Sequence, residues 1–373
     1  MTASLTVSTI SADQHRAFIA GRPSASFLQM PSWAAVKSEW RSESIGWFTD
    51  NGAIAGVGLV LYRQLPKVKR YLAYLPEGPV IDWDGADLSR WLDPMVKHLR
   101  GKGAFGVRMG PPVVTRRWEA ATIKKAIADD ALHTLDDVPA DTNDPAGLSV
   151  VEALESLGWR EQATEGGFSA GQPKYNFQLA IDGTEDDVLR GMNQLWRRNI
   201  KKAAKAGVEV RLGGRDDLAE FHRIYAETAE RDHFTPRPLG YFEQMWDSLT
   251  DEDPLRMRLY LATHEGDLVA STTLVQVGEH AWYSYGASTT AKREVRGSNA
   301  IQWQMMRDAM ESGAKVYDLR GITDTLDPDD SHVGLIQFKV GTGGEAVAYA
   351  GEWDLPISKV LYTAFDQYMR RRS

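Results

Sequence analysis

Several side chains in this sequence are spaced for work on anions. Arg237 and Tyr241 stand four residues apart, the spacing that places two side chains on one helical face, so a guanidinium and a phenol would be presented together. A guanidinium forks onto two oxygens at once and is the preferred phosphate ligand. Earlier in the chain, Arg197, Arg198, Lys201, Lys202 and Lys205 put five basic residues in nine positions, ahead of a glycine, Gly207, that reads as a helix stop. Four of them, Arg198, Lys201, Lys202 and Lys205, recur at three- and four-residue intervals and form a stripe. Such a stripe is either a solvated face that complements the helix dipole or a contact surface for a phosphate backbone. Lys37 lies one helical turn beyond Trp33; on spacing alone it is an ordinary helix lysine, although a compact ammonium also suits an oxyanion. Arg231 and Asp232 read as a surface ion pair at a helix end, which contributes little.

The elements that must hold these residues occur in a repeated order. A strand near Gly46–Thr49 meets a turn at Asp50-Asn51-Gly52, then a long strand runs from Ile54 to Leu65; Asn-Gly between apolar runs is a strong hairpin signal. A strand at Tyr71–Tyr74 follows. Leu88, Trp91, Leu92, Met95, Val96 and Leu99 then mark one face of a helix that feeds a strand at Ala104–Arg108. About 210 residues later the order returns: a strand at Leu259–Ala262, a turn at Glu265-Gly266-Asp267, a long strand over Leu268–Val277, and a strand containing Tyr285. A helix with Ile301, Met305, Met306 and Ala309 then leads into Val316-Tyr317-Asp318. Gly52 matches Gly266, Tyr74 matches Tyr285, and Gly103-Ala104 matches Gly313-Ala314. A period this long reads as two copies of one domain. Outside the repeat, Ser11 is placed to cap a helix reaching Ala20, Pro31 to open one through Lys37, and Ser149–Leu157 to form a third.

The totals fit that division and exclude several functions. A chain of 373 residues is long for one domain, and 43% hydrophobic with 25% charged residues is an ordinary globular composition. No run of 18 apolar residues is present, and Met1-Thr2-Ala3-Ser4 does not open a secretory signal, so a cytoplasmic protein is expected. Zero cysteines exclude disulfides, thiolate metal sites and a cysteine nucleophile. The eight histidines are scattered without HExxH or His-x-His, which argues against a zinc site. A net charge of −8 argues against a general nucleic-acid coat while leaving room for a local basic patch.

The stretch Tyr317-Asp318-Leu319-Arg320-Gly321-Ile322 continues through an acidic loop and Gly334-Leu335 to Phe338-Lys339 and Gly341-Thr342-Gly343-Gly344. It resembles the C-terminal signature of the Fem family, the tRNA-dependent aminoacyltransferases that build peptidoglycan cross-bridges. Two further segments carry the resemblance: Q-x-P-x-W-x-x-x-K over Gln29–Lys37, and R-x-N-I-K-K-A over Arg197–Ala203. The resemblance implies an α+β fold of two duplicated acyltransferase domains of the GNAT type, without the long coiled-coil arm of some relatives, since the chain between Arg215 and Asp253 has no room for it. The domains expected are 1–170 and 171–345, with 346–373 returning to the first.

The same resemblance implies roles. Lys37, Arg237, Tyr241 and Tyr285 would line the UDP-sugar site of the acceptor, with Lys37 on its diphosphate. Phe338 and Lys339 would stand where the aminoacyl-tRNA terminus meets the acceptor amine, and the Arg197–Lys205 helix would hold tRNA, with Arg370-Arg371-Arg372 as a weaker contact. The expected partners are aminoacyl-tRNA and a peptidoglycan precursor, either UDP-MurNAc-pentapeptide or lipid II. Peripheral contact with the inner membrane face is also expected, and the chain is expected to be a monomer with no cofactor and no metal. An aminoacyl ester is already activated, so positioning, loss of an amine proton and oxyanion stabilisation suffice. One departure stands out: relatives commonly carry an aspartate before proline where this chain has Gly110-Pro111.

Three other readings stay open. An acetyl-CoA N-acyltransferase would need a Q/R-x-x-G-x-G/A loop, which fails here with Glu294 and Asn299 at its defining positions. A peptide-antibiotic modifier and a non-catalytic binder of precursor or tRNA are the others.

Overall fold

In the computed structural model the chain divides into two units: Met1–Arg117, Ala140–Tyr175 and Val347–Ser373 form one, Trp118–Pro139 and Asn176–Ala346 the other. The structure describes residues 4–84, 87–162, 171–327, 329–330 and 333–370. The expected boundary at 170 and the side chains of Arg370, Arg371 and Arg372 lie outside that description.

Each unit is built on the same sheet. In unit one the strand order is Thr6–Ile10, Arg41–Phe48, Ile54–Gln64, Tyr71–Leu75, Ala104–Met109, Trp353–Pro356, Arg160–Glu161. Neighbours are antiparallel except Tyr71–Leu75 with Ala104–Met109, which are parallel. A parallel pair needs a crossover, and the helix Ser89–Gly101 supplies it. In unit two the first six strands of a nine-stranded sheet are, in order, Glu209–Gly213, Met257–His264, Asp267–Val277, His280–Ser288, Val316–Gly321, Tyr175–Ala180. Among these six a single step is again parallel, His280–Ser288 with Val316–Gly321, and Gly297–Glu311 crosses over. The matched glycines have matched backbones: Gly52 and Gly266 have φ of +83° and +85°, Gly103 and Gly313 of +90° and +84°. This left-handed region costs glycine nothing, so the repeat keeps its turns where it keeps its glycines.

The copies differ in which stretch fills the sixth place. Beside Ala104–Met109 it is the late strand Trp353–Pro356, and beside Val316–Gly321 it is Tyr175–Ala180. The C-terminal helix Lys359–Arg370 stays with unit one, its Phe365 ring 5.4 Å from that of Phe105. Each core is aromatic: Trp47, Tyr62, Phe105 and Trp353 are fully buried in unit one, and Phe221, Phe242, Tyr260 and Tyr317 in unit two.

Two expectations need correction. The helix read from Pro31 to Lys37 is a single turn, Trp33–Val36, with Lys37 as its C-cap. The segment Trp118–Pro139, read as part of the first domain, belongs to unit two. Trp118 is buried there and donates from Nε1 to the Val138 carbonyl (2.9 Å), Ala120 donates its N–H to Gly344, and Leu135 to Asp324. These last two contacts join residues some 200 positions apart in the chain, which local pattern cannot register. The longest described helix has 15 residues, so no coiled-coil arm exists among the described residues. None of their helices is long and apolar enough to cross a membrane.

Candidate active site

Unit two holds most of the residues singled out above. Lys339 sits in the helix Val333–Val340 and is buried, with 3% of its surface exposed. Its Nζ donates to two backbone carbonyls at the end of the strand Val316–Gly321, Gly321 at 2.7 Å and Arg320 at 3.2 Å. An ammonium has three donors, so among the described residues one is left over. Burial pulls its pKa down to about 7; the Asp318 carboxylate pushes back and the Arg320 guanidinium adds to the fall. A lysine in this state changes charge near neutrality.

The carbonyls that receive Lys339 are aimed by Asp318. Arg320 has a φ of +62°, uncommon for a side-chain-bearing residue, and its N–H donates to Asp318 Oδ1 at 2.6 Å. The other oxygen, Oδ2, accepts from Gln178 Nε2 at 3.0 Å and faces His280 Nε2 at 3.3 Å. Asp318 is fully buried. Burial alone would raise its pKa, but the His280 hydrogen bond and charge, with Arg320 and Gln178, hold it below the usual carboxylate range.

Phe338 joins this site to the basic helix Gln194–Ala206. Its ring lies 4.7 Å from that of Trp196, and its carbonyl accepts from Trp196 Nε1 at 2.8 Å. A Cβ on Gly341 would stand 2.2 Å from Trp196 Cδ1, so the indole fits because residue 341 has no side chain. Asn193 caps the helix by accepting the Trp196 N–H, and Gly207 ends it at φ +79°. Trp196, Asn199 and Ala203 are buried, whereas Arg198, Lys201, Lys202 and Lys205 lie on the outer side, and among the described residues none of these four forms an ion pair. Arg197 instead ties down backbone: its guanidinium donates to the carbonyls of Arg190 (3.0 Å) and Met192 (2.7 Å), closing the end of the helix Glu185–Gly191.

Arg237 and Tyr241 come together as their spacing suggests, although not on one helix, and Tyr285 lies beside Tyr241. Arg237 precedes Pro238, the N-cap of Leu239–Glu252, so it reaches Tyr241 from the lead-in, its guanidinium 5.3 Å from the ring. Tyr285 donates its hydroxyl to that of Tyr241 at 3.2 Å, and its ring meets Phe242 edge-on at 5.0 Å. His222 faces the Arg237 carbonyl at 3.0 Å. Arg231 pairs with Asp232 and also donates to the Ser288 carbonyl (2.9 Å), a structural anchor.

Unit one carries Lys37, its Nζ 5.8 Å from the ring of buried Trp33. Gln29, of the same segment, is fully buried: it accepts the Leu59 N–H at 2.9 Å and donates to the Pro76 carbonyl at 2.7 Å. The segment is thereby tied to the loop Pro76–Pro79, where Glu77 accepts from Ser26. Glu77, Gly110, Gln172 and Glu352 line a cavity of about 20 Å³, room for one water. A Cβ on Gly110 would lie 3.8 Å from Glu352 Oε1, so a carboxylate stands beside the position where the sequence lacks one. Burial raises the Glu352 pKa, against the Tyr74 hydroxyl that donates to it and the nearby Arg108 charge. Glu352 was missed in the sequence because it lies some 240 residues from Gly110. Among the described residues, no group of three or more His, Asp or Glu is arranged to hold a metal ion.

Two duplicated strand orders, each with a parallel step and its crossover helix at the same place, define a tandem acyltransferase fold of the GNAT class. A tandem GNAT protein from the clavulanic acid biosynthesis pathway superposes with a TM-score of 0.51 at 11% identity, over 95% of this chain and 99% of that one. A crystal structure of FemX gives 0.80 at 22% identity, over 96% and 99%. The chain belongs to the FemAB family, whose model matches residues 10–264 and 259–370. Among curated relatives, the lipid II:glycine glycyltransferase of Staphylococcus haemolyticus is 24% identical over 97% of this chain and 95% of that protein. That of Staphylococcus aureus (strain MRSA252) is 23% identical over the same shares.

Proposed function

We propose that this protein transfers an amino acid from aminoacyl-tRNA to an amine on the stem peptide of a peptidoglycan precursor, extending the interpeptide bridge. The observation that carries the reading is the Trp196–Phe338 joint, which fixes a helix with four cations that form no ion pair among the described residues to the helix that bears the buried Lys339. Phosphates of the donor would run along Arg198, Lys201, Lys202 and Lys205, and the ester at its end would reach Lys339. The amine nitrogen forms a bond to the ester carbonyl carbon, the C=O electron pair moves to oxygen, and the leftover Lys339 donor meets that oxyanion. Collapse breaks the C–O bond and returns the ribose hydroxyl with a proton that the amine has shed. Arg237, Tyr241 and Tyr285 are assigned to the acceptor's diphosphate and sugar. The names of the relatives favour a lipid-linked acceptor and glycine as donor residue.

The test is a panel of charged tRNAs crossed with UDP-linked and lipid-linked precursors, with acetyl-CoA as a further donor. Peptide-bond formation that needs a charged tRNA is expected. Acetyl transfer in its place, or binding of both substrates with no transfer, overturns the reading.

A further inference from the structure

Lys339 is held by the end of the strand Val316–Gly321, and that end is held by Asp318. Two of the three ammonium donors finish on the carbonyls of Arg320 and Gly321. Arg320 reaches this arrangement at a φ of +62°, a region that costs a residue with a side chain energy. The bond from its N–H to Asp318 Oδ1, 2.6 Å long, offsets that cost. Asp318 accepts most strongly as a carboxylate, and burial works against that form. Support reaches Oδ2 from two sides. Gln178 Nε2 donates from the strand Tyr175–Ala180 at 3.0 Å, and His280 Nε2 stands 3.3 Å away at the start of the strand His280–Ser288.

A carboxylate only accepts, so the imidazole nitrogen that faces it carries a proton. The ring is fixed in that pose. It stacks on the Trp282 indole with centroids 4.1 Å apart and planes 16° from parallel, and Trp282 is buried directly opposite Asp318 in the strand register. The neighbouring Glu279 carbonyl accepts the N–H groups of Lys315 (2.7 Å) and Val316 (3.1 Å), which ties the start of one strand to the start of the other. Arg320 and Lys339 are the cations that act on this carboxylate besides His280, and the Glu279 and Lys315 side chains pair with each other at 2.6 Å. We propose that His280 is a positioning residue for Lys339: through Asp318 it holds the turn whose two carbonyls receive the ammonium. By keeping Asp318 ionised it also keeps Lys339 charged. The effect on rate rests on the transfer reading, whereas the effect on Lys339 itself does not.

Two variants of the full chain test it. His280→Phe keeps a flat ring against Trp282 and removes the donor, and His280→Gln removes the ring and keeps a donor. In the Phe variant kcat for tRNA-dependent transfer should fall about tenfold, as for loss of one hydrogen bond to a charged group, with KM for both substrates unchanged. Its rate should also decline at lower pH than that of the wild type, because a less ionised Asp318 supports the ammonium less. The Gln variant should restore both properties. A Phe variant with an unmoved pH profile overturns the proposal, since a histidine that only packs would lower stability without moving the profile. So does a Gln variant as slow as the Phe variant. A second measurement needs neither variant and no turnover. In chain carrying isotope-labelled histidine, the NMR signal of the His280 ring should shift as Lys339 loses its proton near pH 7, and that inflection should vanish in Lys339→Met. A ring signal blind to Lys339 overturns the proposal. Coupling seen by NMR in a wild-type chain that makes no peptide bond supports the positioning and removes only the transfer reading.

Discussion

Lys339 carries the most chemistry per atom in this chain because its environment sets both its position and its charge. Two of its donors are held by Gly321 and Arg320, and only the charged form has a third for an oxyanion. Lys339→Met should therefore cut kcat by roughly 10²–10³, the range for loss of an oxyanion donor, while both substrates still bind; wild-type turnover in a folded mutant would remove the assignment. With a pKa of about 7, the wild-type rate should fall as pH rises through neutrality. A rate that climbs over that range in the wild type but not in Lys339→Met would make Lys339 a base. Asp318 supplies the matching control: its negative charge favours the ammonium, so Asp318→Asn should move that fall to lower pH while its remaining amide oxygen can still accept the Arg320 N–H. An unmoved profile would mean that Asp318 only shapes the loop. Arg237→Ala should weaken precursor binding by about 1.5–3 kcal/mol, as expected for hydrogen bonds to a charged group, and titration of the precursor into the mutant reads it directly.

At the scale of elements, the joint between the helices Gln194–Ala206 and Val333–Val340 is the feature to break. Gly341→Ala would press a methyl group into Trp196, where 2.2 Å is left. Overpacking of this kind costs about 1–3 kcal/mol, to be seen as a lower melting temperature. If the joint also couples donor binding to turnover, kcat with charged tRNA should fall further than stability alone explains. An alanine tolerated at wild-type stability and rate would show that the indole can move aside. The tryptophan does not stand out by type in the sequence, and the glycine does so only as one of the cluster Gly341–Gly344. Their partnership exists because a turn about 145 residues downstream of Trp196 passes over its ring, and nothing in either local pattern encodes that approach.

The whole molecule is acidic, with 51 acidic against 43 basic residues, and the overall field opposes a polyanion. Attraction must come from local cations within about a Debye length. Reversal of Lys201 and Lys202 to glutamate should weaken tRNA binding while sparing the precursor, and should flatten the dependence of log Kd on log salt. Affinities for charged tRNA and precursor at two salt concentrations decide it. Loss of precursor instead would assign the stripe to the acceptor, and loss of neither would leave it a solvated face.

The sequence by itself determined the duplication, the element order within each copy and the basic stripe. All three are written in local spacing, such as period-two strands, 3–4 helical faces and glycines at left-handed turns, which short-range sterics enforce wherever the segment ends up. It also brought Arg237 to Tyr241, since four residues keep them near whether or not a helix joins them. Only the tertiary structure decided which cations are free, because Arg197 and Arg198 are identical in type and one of them closes a neighbouring helix. Burial was decided there too. A lysine's pKa depends on what surrounds it on every side, and the carbonyls, Asp318 and the apolar packing around Lys339 come from strands and helices far apart in the chain. The carboxylate facing Gly110 likewise joins distant segments. Side-chain type is local, whereas desolvation and charge balance are sums over space, and those sums exist only once the chain has folded.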